Sequence, residues 1–205
     1  MAIALLVFVG QACAIGTTTV LTFEGLQDQE SINDFYNGGT GSLGSSGPND
    51  GVSFTSDSLA LKSTNPLSNF SNNPSGDTIA FFLNGFGDTM NVAGGFDTGF
   101  SFFYAAAFAG SVNVYDGLNG TGSLLASLAL PVTQNPYTEW AAIGVTFNGI
   151  AKSAVFGGSA NYIGFDDITL GSSTPGQSVP DGGSTMLLMG MAFTAIGFAR
   201  NKFNI

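Results

Sequence analysis

Phe100-Ser101-Phe102-Phe103-Tyr104-Ala105-Ala106-Ala107-Phe108 places Phe100, Phe102, Tyr104, Ala106 and Phe108 on one face of an extended chain. Side chains alternate across a strand, so Ser101, Phe103, Ala105 and Ala107 take the other face. Both faces are mostly apolar, which predicts a strand covered on both sides. Downstream, Ser111 to Tyr115 and Leu124 to Leu130 flank Asp116-Gly117-Leu118-Asn119-Gly120-Thr121-Gly122 and read as a hairpin with a glycine-rich turn.

Working outward, Trp140 to Phe147 alternates again, with Ala141, Ile143, Val145 and Phe147 aligned. Thr17 to Phe23, Val52 to Leu61, Thr78 to Leu83, Met90 to Phe96 and Lys152 to Phe156 read as further strands. Gly, Ser, Thr and Asn are abundant, and no stretch before Met186 sustains a helical period. Short strands with regular turn signals predict an all-β fold, an antiparallel β-sandwich of jelly-roll type. Asn37 to Asn49 and Thr64 to Gly76 read as long surface loops, the second able to carry part of a ligand surface.

The closing stretch, Asn161-Tyr162-Ile163-Gly164-Phe165-Asp166-Asp167-Ile168-Thr169-Leu170, contains a conflict of phase. Ile163 and Phe165 point one way, while Ile168 and Leu170 have the opposite parity. One extra residue resets the alternation, so a β-bulge at Asp166-Asp167 would return both pairs to the core.

Composition excludes several functions. Fourteen Asp and Glu face four Lys and Arg, for a net charge of −10. Outside the tail from Val179, the only cations are Lys62 and Lys152, so the domain repels nucleic acid and anionic headgroups. The chain has no histidine and one cysteine, Cys13. Ser-His and Cys-His pairs are therefore missing, and zinc lacks its usual ligands. The glycine pairs at 38–39, 94–95 and 157–158 lack the lysine and helix of a phosphate loop.

The two ends carry the compartment. Ala2 to Val9 is apolar and Ala12-Cys13-Ala14 suits signal peptidase, so residues 1–14 read as a signal peptide, short and without a basic start. Gly10-Gln11-Ala12-Cys13 is a second reading, a lipoprotein site acylated at Cys13. At the other end, Gly171 to Ser178 reads as a flexible tether before Val179-Pro180-Asp181-Gly182-Gly183-Ser184-Thr185, an apolar run from Met186 to Ala199, Arg200 and Lys202. The fourteen residues of that run would give roughly 21 Å of helix, short of a bilayer core of about 30 Å. Arg200 and Lys202 orient the C-terminus to the cytoplasm and the domain outward.

This tail resembles the PEP-CTERM class of bacterial sorting signals, in its VPDSG-type variant, with Gly182 where the variant has Ser. The resemblance implies export, a transient membrane stop and an exosortase-like membrane protease as partner. Leu21-Thr22-Phe23-Glu24-Gly25-Leu26, Ser31 to Gly39 and the closing Gly164-Phe165-Asp166-Asp167-Ile168 resemble the ectodomain common in PEP-CTERM proteins. In jelly-roll carbohydrate-binding modules a structural calcium links the first and last strands. By that similarity Glu24 and Asp167, then Asp166 and Asp50, are the expected calcium ligands. The opposing reading is that Asp166-Asp167 caps a strand edge and Glu24 faces water.

Trp140 and Tyr137, which flank a loop with Pro136 and Glu139, are candidates for a sugar-stacking platform, and Tyr36 and Tyr115 follow them. Each also fits a core or turn position. The sequence as a whole predicts an exported cell-surface or matrix protein, structural or adhesive, near extracellular polysaccharide. The alternatives are a carbohydrate-binding module with structural calcium and a secreted glycoside hydrolase working with two carboxylates.

Overall fold

Eleven strands build two antiparallel sheets in a computed structural model, which describes residues 18–85 and 87–176. The expected signal peptide at 1–14 and the sorting tail fall outside the described residues. So do the motif Val179 to Thr185, the apolar run Met186 to Ala199, and Arg200 and Lys202. Among the described residues no helix is long and apolar enough to cross a membrane.

The first sheet runs β3 (Ser58–Lys62), β4 (Thr78–Phe82), β11 (Ile163–Leu170), β6 (Gly99–Ala106), β9 (Ala141–Thr146), with β1 (Thr19–Leu21) also on β11. The second runs β2 (Val52–Phe54), β5 (Gly87–Phe96), β10 (Ala151–Gly157), β7 (Gly110–Tyr115), β8 (Leu124–Leu130). Two four-stranded layers, β1-β11-β6-β9 and β5-β10-β7-β8, have the strand order of a jelly roll. The segment from β2 to β4 is inserted between its first two strands and widens both sheets. The β7–β8 hairpin forms as expected, with a 3-10 turn at Leu118–Gly120.

The period-two reading of β6 holds through Ala106. Phe100, Phe102, Tyr104 and Ala106 enter the core between the sheets. Phe102 packs against Phe156 and Phe165 at ring distances of 5.9 and 5.7 Å. On the outer face, Ala105 lies under a smaller cluster with Leu61, Phe70, Ile79 and Phe81, to which Tyr137 and Trp140 add partly buried rings. The loop at 64–76 and the segment around Tyr137 thus cover the side of the sheet that would otherwise face water. Phe108, assigned by alternation to the core face, lies past the strand end instead. It is 51 % exposed and stands edge-on to Tyr162.

Two other expectations change. Val52 to Leu61 is not one strand: β2 and β3 belong to different sheets, parted at Thr55-Ser56-Asp57. Thr55 donates its hydroxyl to buried Asp88 at 2.7 Å and its N–H to the Thr89 carbonyl, which fixes the crossing. The segment 37–49 is a folded excursion, with bridges Asn37↔Asn49 and Thr40↔Ser46. The fully buried Glu30 holds it by accepting N–H bonds from Gln27, Leu43 and Ser45 at 2.8 to 3.0 Å. Burial pushes the Glu30 carboxyl up, but those donors outweigh it and hold it below the usual range.

Truncating Phe102 to Ala should therefore destabilise the domain by about 3 to 5 kcal/mol, as expected for an aromatic deleted from a packed core. Phe108→Ala should cost less than about 1 kcal/mol. Equilibrium denaturation of the two variants checks the difference.

Candidate functional site

β11 is flanked on one side by β6 and on the other by two strands laid end to end. β4 pairs with Gly164 and Phe165, and β1 pairs with Ile168, Thr169 and Leu170. Asp166 and Asp167 fall in the gap between them. Opposite, the β6 register shifts between Asp166↔Phe103 and Thr169↔Ser101, so Asp167 and Ile168 together face Phe102. This is the bulge that the phase conflict requires, and Asp167 takes a left-handed φ of 48° in it. Ile163, Phe165, Ile168 and Leu170 all enter the same core.

Carboxylates close the gap. Asp166, with no exposed surface, accepts the Ser75 N–H at 3.0 Å, the Ser75 hydroxyl at 3.1 Å and the Asp167 N–H at 2.7 Å. Exposed Glu24 accepts the N–H groups of Asp77 and Thr78 at 3.0 and 2.8 Å through one oxygen. The loop entering β4 is therefore fastened to both β11 and the end of β1. Gly76 packs so closely on Glu24 that a β-carbon there would collide with the carboxylate, and its φ of +46° suits glycine as well.

Burial pushes the Asp166 carboxyl up to about 7, and the neighbouring Asp167 charge adds to the shift against the Ser75 and Asp167 donors. Nearby, burial raises the Tyr36 hydroxyl, and the charges of Asp166, Asp50 and Glu24 raise it further. Tyr36 itself is buried, and its hydroxyl accepts the Phe23 N–H. It belongs to the core and is not an exposed platform. Tyr115 lies half-buried on β7 of the other sheet.

Of the four expected calcium ligands, Glu24, Asp50 and Asp166 act on the Tyr36 hydroxyl through their charge, while Asp167 lines a cleft on the outer face of the sheet. As arranged, these carboxylates are not a ligand set, because Asp166 and Glu24 are engaged by N–H and O–H donors. Among the described residues, no group of three or more His, Cys, Asp or Glu side chains is placed to hold a metal ion.

Asp167 lines a cleft of about 600 Å³ on the outer face of the first sheet, together with Phe103, Trp140, Glu139, Thr138, Asn72 and Pro74. Of the two expected platform residues, Trp140 is here and Tyr137 is not. Tyr137 stands edge-on to Phe70, 5.0 Å between ring centres, and supports the wall. Trp140 is fixed by its indole N–H, donated to the Ser71 carbonyl at 3.0 Å.

The remaining wall, Pro175 and Gly176, comes from a segment expected as free tether. Residues 171–176 lie across the sheet instead. The Ser101 hydroxyl donates to the Ser172 carbonyl at 2.9 Å, the Gly176 N–H donates to the Thr169 hydroxyl at 3.0 Å, and Pro175 is buried. Phe103 and this strap were not marked as site residues by the sequence. The only hint was the second apolar face of β6, which had to be covered by something.

Residues 178–203 match the model of the VPDSG-CTERM motif, so the tail is a sorting signal of that type. It implies export, exosortase-type processing and transient membrane anchoring. No curated protein matches the chain significantly. Among solved structures, a glycoside hydrolase family 43 arabinoxylan arabinofuranohydrolase from Bacillus subtilis, in complex with cellotetraose, is similar at 22 % identity and a TM-score of 0.39. The alignment covers 56 % of this chain and 24 % of that one, so the chain spans about a quarter of the enzyme's length. A family 6 carbohydrate-binding module is similar at 18 % identity, TM-score 0.40, over 58 % of this chain and 85 % of that one. A module from Cellvibrio mixtus lichenase 5A with cellotriose is similar at 16 %, TM-score 0.40, over 56 % and 86 %. Overlaps of this size carry no argument about ligand or activity.

The raised Asp166 carboxyl has a consequence for stability. Its folded value, about 7, exceeds the ordinary 3.8, so the folded state holds the proton more tightly. The associated stability is full below about pH 4 and is lost as pH rises through about 7. Buried Asp88, pushed up to about 6 by burial, acts in the same direction. In calcium-free buffer the melting temperature should fall between pH 5 and pH 8, and Asp166→Asn should flatten part of that fall. Thermal melts of both proteins across this range measure the Asp166 share as their difference.

Proposed function

We propose that this chain is an exported cell-surface or matrix protein with a structural or adhesive role near extracellular polysaccharide, delivered by an exosortase-type protease. The observation that carries the reading is the VPDSG-CTERM match at 178–203, which follows directly on a folded, acidic sandwich. A domain with this charge avoids anionic lipid surfaces and nucleic acid and stays dispersed outside the cell. Replacing Pro180 and Asp181 by Ala is expected to leave an unprocessed chain in the membrane fraction, whereas the parent reaches the surface or medium in shortened form. Equal delivery of both, read by fractionation and mass of the mature chain, would overturn the reading.

The alternative is a module of carbohydrate-binding type with structural calcium. The aromatic-walled cleft around Trp140 favours it, since sugars stack on such rings. Calcium would sit at the strand gap, where Glu24 and Asp166 supply oxygens once Ser75 and the amides of Asp77, Thr78 and Asp167 yield to the ion, with Asp50 adding charge. The charges of Asp166, Asp50 and Glu24 all act on the Tyr36 hydroxyl, and a divalent cation would offset them. Excess calcium at neutral pH should then raise the melting temperature by several degrees in the parent chain and not in Asp166→Asn. An unmoved parent rules the ion out.

A further inference from the structure

The cleft beside Trp140 is unbalanced in its hydrogen-bonding groups. Its donors are largely spent on the protein: the Trp140 N–H on the Ser71 carbonyl, the Asn72 amide on the Thr138 carbonyl and the Thr138 hydroxyl on the Asn135 carbonyl. With its one donor used, Trp140 offers the cleft ring surface alone. The acceptors are less committed. Glu139 takes one bond, from Asn135 through Oε2. The Asp167 carbonyl accepts the Thr169 hydroxyl at 2.8 Å, while its carboxylate accepts no hydrogen bond among the described residues. Asp167 is nevertheless only 8 % exposed, and that exposure is into the cleft. No Lys or Arg lines the space.

A carboxylate that opens onto a cleft with no protein donor on its oxygens is met best by a ligand that brings N–H donors and positive charge. An aromatic wall favours the same ligand, because a cation is attracted to a ring face. A neutral sugar could stack, but its hydroxyls carry no charge to offset Asp167. We infer that the cleft formed by Trp140, Phe103, Asp167 and Glu139 binds a protonated amino sugar, a unit of a polysaccharide that carries free amines. Trp140 and Phe103 flank the pyranose, Asp167 takes the ammonium group, and Glu139 at the rim adds attraction. The cleft's volume is in the range of small-ligand sites and fits a short oligosaccharide. This inference rests on the reading of a surface protein near polysaccharide and names the chemistry of that polymer.

The test is calorimetry on the full chain in mild detergent at about pH 6, where an amine is protonated. Three probes are titrated: a glucosamine trimer, an N-acetylglucosamine trimer and trilysine. The glucosamine trimer should bind at least tenfold more tightly than either of the others. Asp167→Asn should weaken it at least tenfold without lowering the melting temperature, because Asn tolerates the left-handed backbone at this position and removes a charge beside Asp166. Glu139→Gln, at an exposed position, should weaken it by a smaller factor, and Tyr115→Phe on the other sheet should not change it. Equal binding of the acetylated trimer, tighter binding of trilysine, no binding of any probe, or an unaffected Asp167→Asn would each overturn the inference. Fractionation of the Pro180 and Asp181 variant reads the surface assignment separately, so either result can fail without the other.

Discussion

A central strand whose partner changes halfway along is the constraint from which the rest of this sandwich follows. β11 meets β4 along its first half and β1 along its second. Two neighbours laid end to end leave backbone groups unpaired where they meet, and buried backbone groups must find partners. Within β11 the Asp166 carboxylate takes the Asp167 N–H and the Thr169 hydroxyl meets the Asp167 carbonyl, while the N–H groups of Ser75, Asp77 and Thr78 in the facing loop go to Asp166 and Glu24. The solution uses carboxylates as acceptors, which places charge in a site with little water. The Asp166 carboxyl responds by holding its proton to about pH 7.

The same irregularity divides two adjacent aspartates between two settings. Asp166 is consumed by architecture, with three donors on its oxygens. Asp167, turned by its left-handed backbone, opens onto the cleft. One residue fastens the sheet and the next is left to meet a ligand. The cleft exists because the outer face of the first sheet is only partly covered: Phe70 and its cluster roof Ala105, and Phe103 beside it remains half-buried.

Features that obey a local period were legible in the sequence. The alternation of β6 and the parity clash between Phe165 and Ile168 were enough to place the core strand and the bulge, because a pleated strand leaves no freedom in which face a residue takes. Features that depend on distant partners were not. The break between β2 and β3 rests on Asp88, far along the chain from Thr55, and the folding of residues 37–49 rests on Glu30. Nothing adjacent to either acid announces its role. Tyr36 and Trp140 look alike as aromatic candidates, but only the fold buries the first and leaves the second against an opening. The carboxylates expected to share one ion are divided for the same reason: nearness in sequence does not fix which way a bulged strand aims its side chains.

The strap at residues 171–176 has a mechanical meaning for a chain held at its C-terminus. Tension would reach the sandwich first through Gly176 and its bond to Thr169, then through Ser172 and its bond to Ser101. These contacts would peel one after another while the β11 ladder, loaded along its length between neighbours, resists as a whole. Six released residues would extend by roughly 20 Å. The strap is thus a length reserve that absorbs a pull before the core is loaded, and in yielding it would strip one wall from the cleft.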